Sequence, residues 1–323
     1  MEYKKDTYFT DKGRVSSMKG IGKLAVGETL DQRAMIKQAV KGIAANGKPY
    51  LTLILTDKTG EIETKMWDTS DLEKYAPKSI VHAAGEVMDY RGRTQLKLKQ
   101  ITVLEETNVE DYVQSAPIPR EQIETEVLTF VESIQNSDMK KLVKHLITSR
   151  FDAYFTHPAA VKNHHAFYSG LSYHVLSMLR LADQIAQLYP TLNRDVLISG
   201  IILHDYAKIK ELSDPVAPEY TLPGKLVGHI TMMVAELEKV GAELQIDAEV
   251  LTVLQHLVLS HHGRPEWGSA VAPQMREAEV LFLIDNLDAR MTMMDRLLEY
   301  VEPGQFSERS FALDNRAFYR PKL

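Results

Sequence analysis

The stretch from Leu51 to Asp68 reads LTLILTDKTGEIETKMWD. Leucines occupy every second position in its first half, a pattern that is typical of a β-strand with one buried face. The turn-forming segment DKTG at 57–60 separates this run from a second alternating run that ends at Trp67, and this arrangement predicts a β-hairpin. Period-two alternation extends from about Arg33 to Leu104. We therefore predict a small closed β-barrel of five strands.

The second part of the chain has a different period. Residues 105–120 are acidic and contain Pro117 and Pro119, which interrupt strands and helices alike and indicate a linker. From Arg120 to about Met294, apolar residues recur at steps of three or four, which is typical of helices. The predicted organisation is multi-domain α+β, with an N-terminal arm at 1–30, the barrel at 31–110, a linker at 111–120, an all-α helical bundle at 121–300 and a C-terminal tail at 301–323.

Composition excludes several classes of site. The chain has 323 residues and a formal net charge of −6, so a nucleic-acid partner would need a local basic patch. It has no cysteine, which excludes disulfides, Cys-ligated zinc, iron–sulfur clusters and a cysteine nucleophile. Any metal site must therefore be built from histidines and carboxylates. The N-terminus shows no apolar signal region and no run approaches eighteen apolar residues, so we expect a cytoplasmic protein without a membrane partner.

Histidines and acids lie beside apolar runs in the helical half. His204 and Asp205 directly follow the apolar run Val196–Leu203, and Asp285 is embedded in an apolar helix with Asp288 one turn further on. Burial of an unpaired carboxylate costs several kcal/mol, so such a group is normally paired or bound to a metal. One acid alone fits a satisfied core residue, whereas the whole set is hard to explain by packing. The candidate ligands, whose types suit Mn²⁺, Fe²⁺, Co²⁺ or Zn²⁺, are His174, His204, Asp205, His229, His261, His262 and Asp285.

The order of these residues resembles a known signature. His174, the pair His204-Asp205 and Asp285 match the H…HD…D pattern of the HD superfamily of metal-dependent phosphohydrolases. Lys208 completes a sequence similar to that family's HDxxK pattern. The HD pattern is specific for metal phosphohydrolase chemistry but not for a substrate.

Two further stretches extend the resemblance. The segment Asn163–His174 resembles the surroundings of the HD family's first histidine ligand, although Ser169 stands where a second glycine is common. The segment Leu51–Trp67 resembles an OB-fold of the nucleic-acid-binding type. An OB module followed by an HD domain, over nearly the whole chain, is similar to the YhaM-type 3′–5′ exoribonucleases.

The resemblance implies a two-metal site. One divalent ion would be held by His174, His204, Asp205 and Asp285, and a second by Asp205, His229 and either His261 or His262. Such a pair, about 4 Å apart, activates water for in-line attack and neutralises the scissile phosphate. The resemblance implies a preference for Mn²⁺ or Co²⁺, and Fe²⁺ and Mg²⁺ stay open.

Three residues are candidates for catalysis beside Asp205. Lys208, one turn beyond His204, would add positive charge at a phosphate oxygen, and the alternative is a solvated lysine at a helix end. His165 and His262, the spare member of the histidine pair, would line the pocket or protonate the leaving oxygen. The alternative for both is a position behind the metal ligands.

The last predicted barrel strand carries four basic residues and Gln95 in a row that steps by two from Arg91 to Lys99. Its apolar residues Leu96 and Leu98 would point into the barrel, so the basic ones share the outer face and suit a phosphate backbone. Aromatic residues on the neighbouring hairpin would stack on bases. Against this stand three facts: edge strands carry lysine for solubility, Trp67 fits a core position, and residues 31–110 have equal numbers of acidic and basic residues. The candidate nucleic-acid-binding residues are Arg91, Arg93, Lys97, Lys99, Lys65, Trp67 and Tyr50.

The resemblance implies removal of nucleotides from the 3′ end of single-stranded RNA to give mononucleotides. Single-stranded DNA stays open as a substrate, because OB modules bind RNA and DNA alike. Two alternatives remain: an HD-type phosphohydrolase of nucleotides or cyclic dinucleotides, and a non-catalytic OB-type binding protein whose metal is structural. A homo-oligomer is compatible with the sequence and is not specified by it.

Overall fold

The computed structural model describes residues 19–106, 108–161, 165–299 and 301–323, and it divides the chain into two compact units, Met1–Gln114 and Ser115–Leu323. The first is a closed β-barrel and the second is helical, which confirms the predicted fold class. Residues 1–18 of the predicted arm, and Asn163 in the segment before His174, lie outside the described residues. Within the described ranges, no helix is both long and apolar enough to cross a bilayer.

Five strands close the barrel in the order β1-β2-β3-β5-β4. Neighbouring strands are antiparallel except β3 and β5, whose parallel pairing closes the sheet. The alternating leucines of β2 point inward, since Leu51, Leu53 and Leu55 are fully buried. The strands are β1 Thr29–Ile43, β2 Pro49–Asp57, β3 Gly60–Trp67, β4 Ile80–Tyr90 and β5 Arg93–Val103.

The described part of the predicted arm belongs to the barrel unit. Ile21 lies in a short 3-10 turn and is buried in the barrel core, while Leu30 is an inward residue of β1. The Asp57 carboxylate accepts a hydrogen bond from the Ile21 backbone N–H at 2.8 Å. Residues 19–30 therefore do not form an arm separate from the barrel. The sequence did not show this, because few apolar residues mark the segment and its contacts come from the β2–β3 turn.

The helical unit places the middle of α5 at its core. Every residue from Val196 to Leu203 is buried, and α5 packs against α4, α9 and α10. The helices are α1 Arg120–Ser133, α2 Ser137–Ser149, α3 Phe151–Thr156, α4 Gly170–Leu188, α5 Arg194–Leu203, α6 Lys208–Glu211, α7 Leu222–Leu226, α8 Gly228–Leu244, α9 Ala248–Ser260 and α10 Arg276–Leu298.

The backbone at the start of α4 requires small residues at Ser169 and Gly170. Ser169 has φ of 62°, a left-handed conformation that favours glycine, which accounts for the preference for glycine at this place in the HD pattern. A Cβ at Gly170 would lie 2.0 Å from the carbonyl oxygen of His165, so only glycine permits this approach. The backbone is thereby fixed one turn before His174.

Candidate metal centre

The candidate ligands come from separate helices and meet around Asp205. Its Oδ1 lies 3.3 Å from Nε2 of His229 and 3.7 Å from Nε2 of His261. Its Oδ2 lies 3.3 Å from Nε2 of His204. Nearby, Nε2 of His174 lies 3.2 Å from Oδ1 of Asp285. The C-terminal ends of α5 and α9, the start of α8 and inner positions of α4 and α10 thus supply one cluster.

Several buried atoms of the cluster have no hydrogen-bond partner among the described residues. An unsatisfied buried polar atom costs about 1–3 kcal/mol, so a group of them needs an explanation. Atoms bound to one cation at about 2.0–2.2 Å lie roughly 3 Å or a little more from each other, as these do. The donor set and its spacing fit divalent ions. The unpartnered atoms are Nε2 of His204, His229 and His261, Oδ1 of Asp205 and Nδ1 of His262.

Each of four imidazoles is oriented through its other nitrogen. Nδ1 of His204 donates to the Ile201 carbonyl at 2.8 Å, and Nδ1 of His261 donates to the Val258 carbonyl at 2.7 Å. Because a carbonyl only accepts, the proton resides on Nδ1 and the Nε2 lone pair faces the cluster.

Carboxylates do the same for the other two imidazoles. Nδ1 of His174 lies 2.7 Å from Oδ2 of Asp288, and Nδ1 of His229 lies 3.1 Å from Oε1 of Glu211. Asp288 also accepts a hydrogen bond from the Ser177 hydroxyl. The sequence did not assign Asp288 or Glu211, and the available signals were the i,i+3 spacing of Asp288 from Asp285 and of Glu211 from Lys208.

The electrostatics favour the ligand forms of His261 and Asp205, but a protonated His174. Burial, together with His204 and His262, holds the pKa of His261 well below its usual value, so its imidazole is neutral. Burial tends to raise the pKa of Asp205, but Lys208 and His204 outweigh it and hold the pKa far below the usual value. Burial opposes the protonation of His174, yet its hydrogen bonds with Asp285 and Asp288 raise its pKa to about 10. An incoming cation therefore displaces a proton from His174.

Candidate ligands fall into two sets of three whose ligand atoms lie within 4.8 Å of one another. One set is His174, His204 and Asp205, and the other is His229, His261 and His262. Both members of the histidine pair thus lie near His229, where the sequence left a choice between them. A third set, His165, His174 and Asp288, is a hydrogen-bonded network and needs no ion.

His165 lies away from the reacting side of the cluster. It is buried, and its Nε2 lies 2.7 Å from Oδ2 of Asp288, the oxygen that also holds His174. It does not line the cleft described below. This position favours the alternative of a residue behind the metal ligands over a direct role at the leaving oxygen.

A cleft of about 180 Å³ opens onto the cluster. Lys208 lines it and places Nζ 2.7 Å from Oδ2 of Asp205. Burial tends to lower the pKa of Lys208, but Asp205 outweighs burial and raises it, so the ammonium stays charged. With a side chain only 12% exposed, Lys208 is not a solvated lysine at a helix end. The cleft is lined by Asp205, Lys208, His261, His262, Trp267, Phe282, Asp285, Asn286 and Ala289.

On the barrel, β2 and β3 form an aromatic and basic surface. Tyr50 pairs with Trp67 across the two strands, and their ring centroids are 5.1 Å apart. Nζ of Lys65 lies 5.0 Å from the Tyr50 ring centroid. Trp67 is 61% exposed, which excludes the alternative that it belongs to the barrel core. The structure therefore brings together Tyr50, Lys65 and Trp67, as their strand parity suggested.

The basic residues of β5 are exposed, with one correction. Arg93, Lys97 and Lys99 lie on the strand, while Leu96 is buried opposite them. Arg91 does not continue this row, because it is in the β4–β5 turn with φ of 55° and its guanidinium lies 5.4 Å from the Tyr90 ring centroid. The spacing by two could not show where the strand begins.

This chain is similar to several known proteins. A family model described as HD domain matches residues 171–290. The 3′–5′ exoribonuclease YhaM of Bacillus subtilis (strain 168) is 52% identical over 308 residues, which are 94% of this chain and 98% of that protein. Its counterpart in Geobacillus sp. (strain WCH70) is 50% identical over 308 residues, 94% of this chain and 95% of that protein. A domain of replication protein A from Methanococcus maripaludis covers 28% of this chain and 97% of that one, at 20% identity and a TM-score of 0.25. From the identity and coverage of the first two relatives, this chain belongs to the YhaM family of 3′–5′ exoribonucleases.

Proposed function

We propose that this protein is a metal-dependent 3′–5′ exoribonuclease that hydrolyses phosphodiester bonds of single-stranded RNA to mononucleotides. Family membership supports the reaction and its direction. The observation that carries it in the structure is the convergence of unpartnered histidine nitrogens on Asp205 beside an open cleft. Single-stranded DNA remains a second candidate substrate.

The proposed metal ligands follow the two sets of atoms. His174, His204, Asp205 and Asp285 would hold one divalent ion, and His229, His261 and His262 with Asp205 would hold another. Mn²⁺ is our first candidate, and Co²⁺, Fe²⁺ and Mg²⁺ suit the same donors less specifically. Bound there, such ions supply charge neutralisation at the phosphate and a lowered pKa for the attacking water.

The remaining side chains would prepare this centre and receive the substrate. Asp288 and Glu211 fix the rings of His174 and His229, so each Nε2 is aimed before an ion arrives. Lys208 keeps its charge at the cleft and would donate to a non-bridging phosphate oxygen as negative charge develops there. His262 would serve as a ligand or, where it is free, as the group that protonates the leaving oxygen.

The barrel would bind the polynucleotide upstream of the reacting end. Tyr50 and Trp67 offer ring faces to bases, and Lys65 with the basic residues of β5 offers charge to phosphates. The proposed functional bounds are 31–110 for binding and 121–300 for chemistry. Deletion of residues 1–110 should weaken binding of long strands more than hydrolysis of a small phosphodiester. Equal loss of both would contradict a dedicated binding role. The cytoplasmic location and homo-oligomer stay predictions.

One assay tests the proposed reaction. The purified protein is incubated with 3′-labelled RNA and with 3′-blocked RNA, in Mn²⁺ and in chelator, beside free nucleotides and cyclic dinucleotides. We expect labelled mononucleotide at the earliest times from the unblocked RNA, only with metal. Cleavage confined to free or cyclic nucleotides would instead favour the small-molecule phosphohydrolase. Binding without any cleavage would favour a protein whose metal is structural.

A further inference from the structure

Two aromatic side chains stand beside the metal centre. Trp267 and Phe282 line the same cleft as Asp205, Lys208 and Asp285. Their ring centroids are 6.0 Å apart and their planes are inclined by 47°. Trp267 is 48% exposed and lies outside the buried core of the helical unit. Packing of the core therefore does not account for a large aromatic residue at this position.

The loop that carries Trp267 is held close to the cluster at both ends. Gly263 and Gly268 flank it, with φ of +76° and +100°. A Cβ at Gly263 would lie 2.3 Å from Cδ2 of Phe282, so the ring packs directly on this backbone. A Cβ at Gly268 would lie 3.3 Å from Nδ1 of His262. The indole is thereby fixed within a few residues of the histidine pair.

A cation accompanies the ring. The Arg264 guanidinium lies 5.1 Å from the Trp267 ring centroid. Arg264 is exposed, and among the described residues its side chain has no ion pair or hydrogen bond. A guanidinium that no carboxylate neutralises is available to a phosphate and presents its flat face beside an aromatic ring.

We propose that Trp267 stacks on the base of the 3′-terminal nucleotide, with Phe282 behind it and Arg264 beside it at the RNA backbone. This inference rests on the proposed function, since the nucleotide to be released must lie next to the bond that is broken at the metal centre. Every base has a π-face, so the platform accepts any of the four. A paired base must first leave its duplex to reach it, so the platform selects single-stranded 3′ ends.

The test compares RNA with and without its 3′-terminal base, in the unmodified protein and in variants of Trp267. Two 5′-labelled oligoribonucleotides are compared, one complete and one with an abasic 3′-terminal residue. For the unmodified protein, we expect the abasic end to raise KM by about 5- to 150-fold, the range that stacking of one base commonly contributes. In Trp267→Ala the two substrates should have equal KM, and Trp267→Phe should restore part of the difference.

The second tryptophan supplies the matched control. The chain has two tryptophans, and Trp67 is the exposed one on the barrel. Trp67→Ala should keep the full difference between complete and abasic ends, because its ring lies in the other unit. A Trp267→Ala variant that raises KM for both substrates to the same extent, or an unmodified protein indifferent to the abasic end, would overturn the inference.

A spectroscopic readout serves if Trp267→Ala does not fold. In Trp67→Phe, Trp267 is the one remaining indole. A cleavage-resistant phosphorothioate RNA with a complete 3′ end should quench its fluorescence, and the abasic RNA should not. Equal quenching by both would contradict stacking. Failure of the proposed function is distinguishable, because it would show as no metal-dependent cleavage of either RNA by the unmodified protein, while quenching requires no cleavage.

Discussion

The two units treat their buried polar groups in opposite ways. In the barrel, the buried Thr64 hydroxyl donates to the Leu96 carbonyl at 2.7 Å, and the Thr56 hydroxyl donates to the Gly60 carbonyl at 3.1 Å. In the helical unit, the buried Nε2 atoms of His204 and His261 have no such partner. In the described part of the barrel the buried hydroxyls are thus satisfied within the protein, whereas the unpartnered nitrogens of the helical unit fit the binding of cations.

This contrast separates two kinds of function. The barrel keeps its candidate binding residues on the outside, where each contributes a modest and nearly independent amount. The helical unit keeps its candidate residues inside, where one carboxylate serves several partners at once. Substitutions should thus be graded: large in the helical interior and small on the barrel surface.

The largest effect is expected for Asp205→Ala. Asp205 faces Nε2 of both His229 and His261, and its loss leaves those atoms with no shared anion. Cleavage should fall by more than the roughly 10- to 100-fold that loss of an outer partner causes, while RNA binding by the barrel persists. Initial rates on labelled RNA, with equilibrium binding alongside, measure both. Asp31→Ala, an exposed acid of the barrel, is the control. An active Asp205→Ala would refute the metal mechanism.

Metal removal should destabilise the helical unit and leave the stability of the barrel unchanged. Chelation should abolish cleavage and lower the unfolding temperature of the helical unit only. Since a ligand at 100 times its Kd stabilises by about 2.7 kcal/mol, calorimetry in Mn²⁺ and in chelator should resolve the shift. If chelation lowers the unfolding temperature of the barrel by the same amount, the difference in buried polar groups does not explain how the metal stabilises the protein.

A smaller effect is expected from substitution of Asp288, which contacts the ligand His174 and not the proposed ions. Asp288→Asn removes the charge that holds both His174 and His165, with little change of volume. The affinity for Mn²⁺ should fall by about 10- to 100-fold, measured by metal titration of activity. Asp295→Asn, an exposed acid on the same helix, is the matched control. If both variants keep their metal affinity, the role of Asp288 is limited to packing.

The sequence predicted the interior of the barrel better than the interior of the helical unit. Alternation at Leu51, Leu53 and Leu55 specifies the barrel because each side chain acts alone, through its own burial. Asp285 and Asp288 stand three residues apart on one helix, and a periodic pattern treats them alike. Only the positions of His174 and His165 show that one acid faces the cluster and the other lies behind it. Likewise, the sequence placed His165 in the pocket because residue spacing does not show on which side of the His174 ring a neighbouring side chain lies.

On the barrel surface, Trp67→Ala should weaken binding without changing chemistry. Stacking of a base on an aromatic ring contributes about 1–3 kcal/mol, so the affinity for long single strands should fall by roughly 5- to 150-fold. Hydrolysis of a dinucleotide, whose two nucleotides both flank the cleaved bond, should be unchanged. The ring centroids of Trp67 and Tyr50 are 5.1 Å apart, so the two rings belong to one surface and Tyr50→Ala should have a similar effect. A loss of dinucleotide hydrolysis would show that the units are coupled.

The smallest effect separates two lysines of β5. Lys99 lies 4.0 Å from Glu86, whereas Lys97 has no ion pair among the described residues. Glu86 lies across the ladder from Lys97, but its carboxylate contacts the ammonium of Lys99, so a phosphate would compete with Glu86 more directly for Lys99. Lys97→Gln should therefore reduce the slope of log affinity against log salt concentration by about 0.7, the value for one contact with a single strand, and Lys99→Gln should reduce it less. Salt titrations of binding measure both slopes. Equal reductions would show that Glu86 does not hold Lys99 in solution, and that the barrel's charges act as one diffuse field and not as separate contacts.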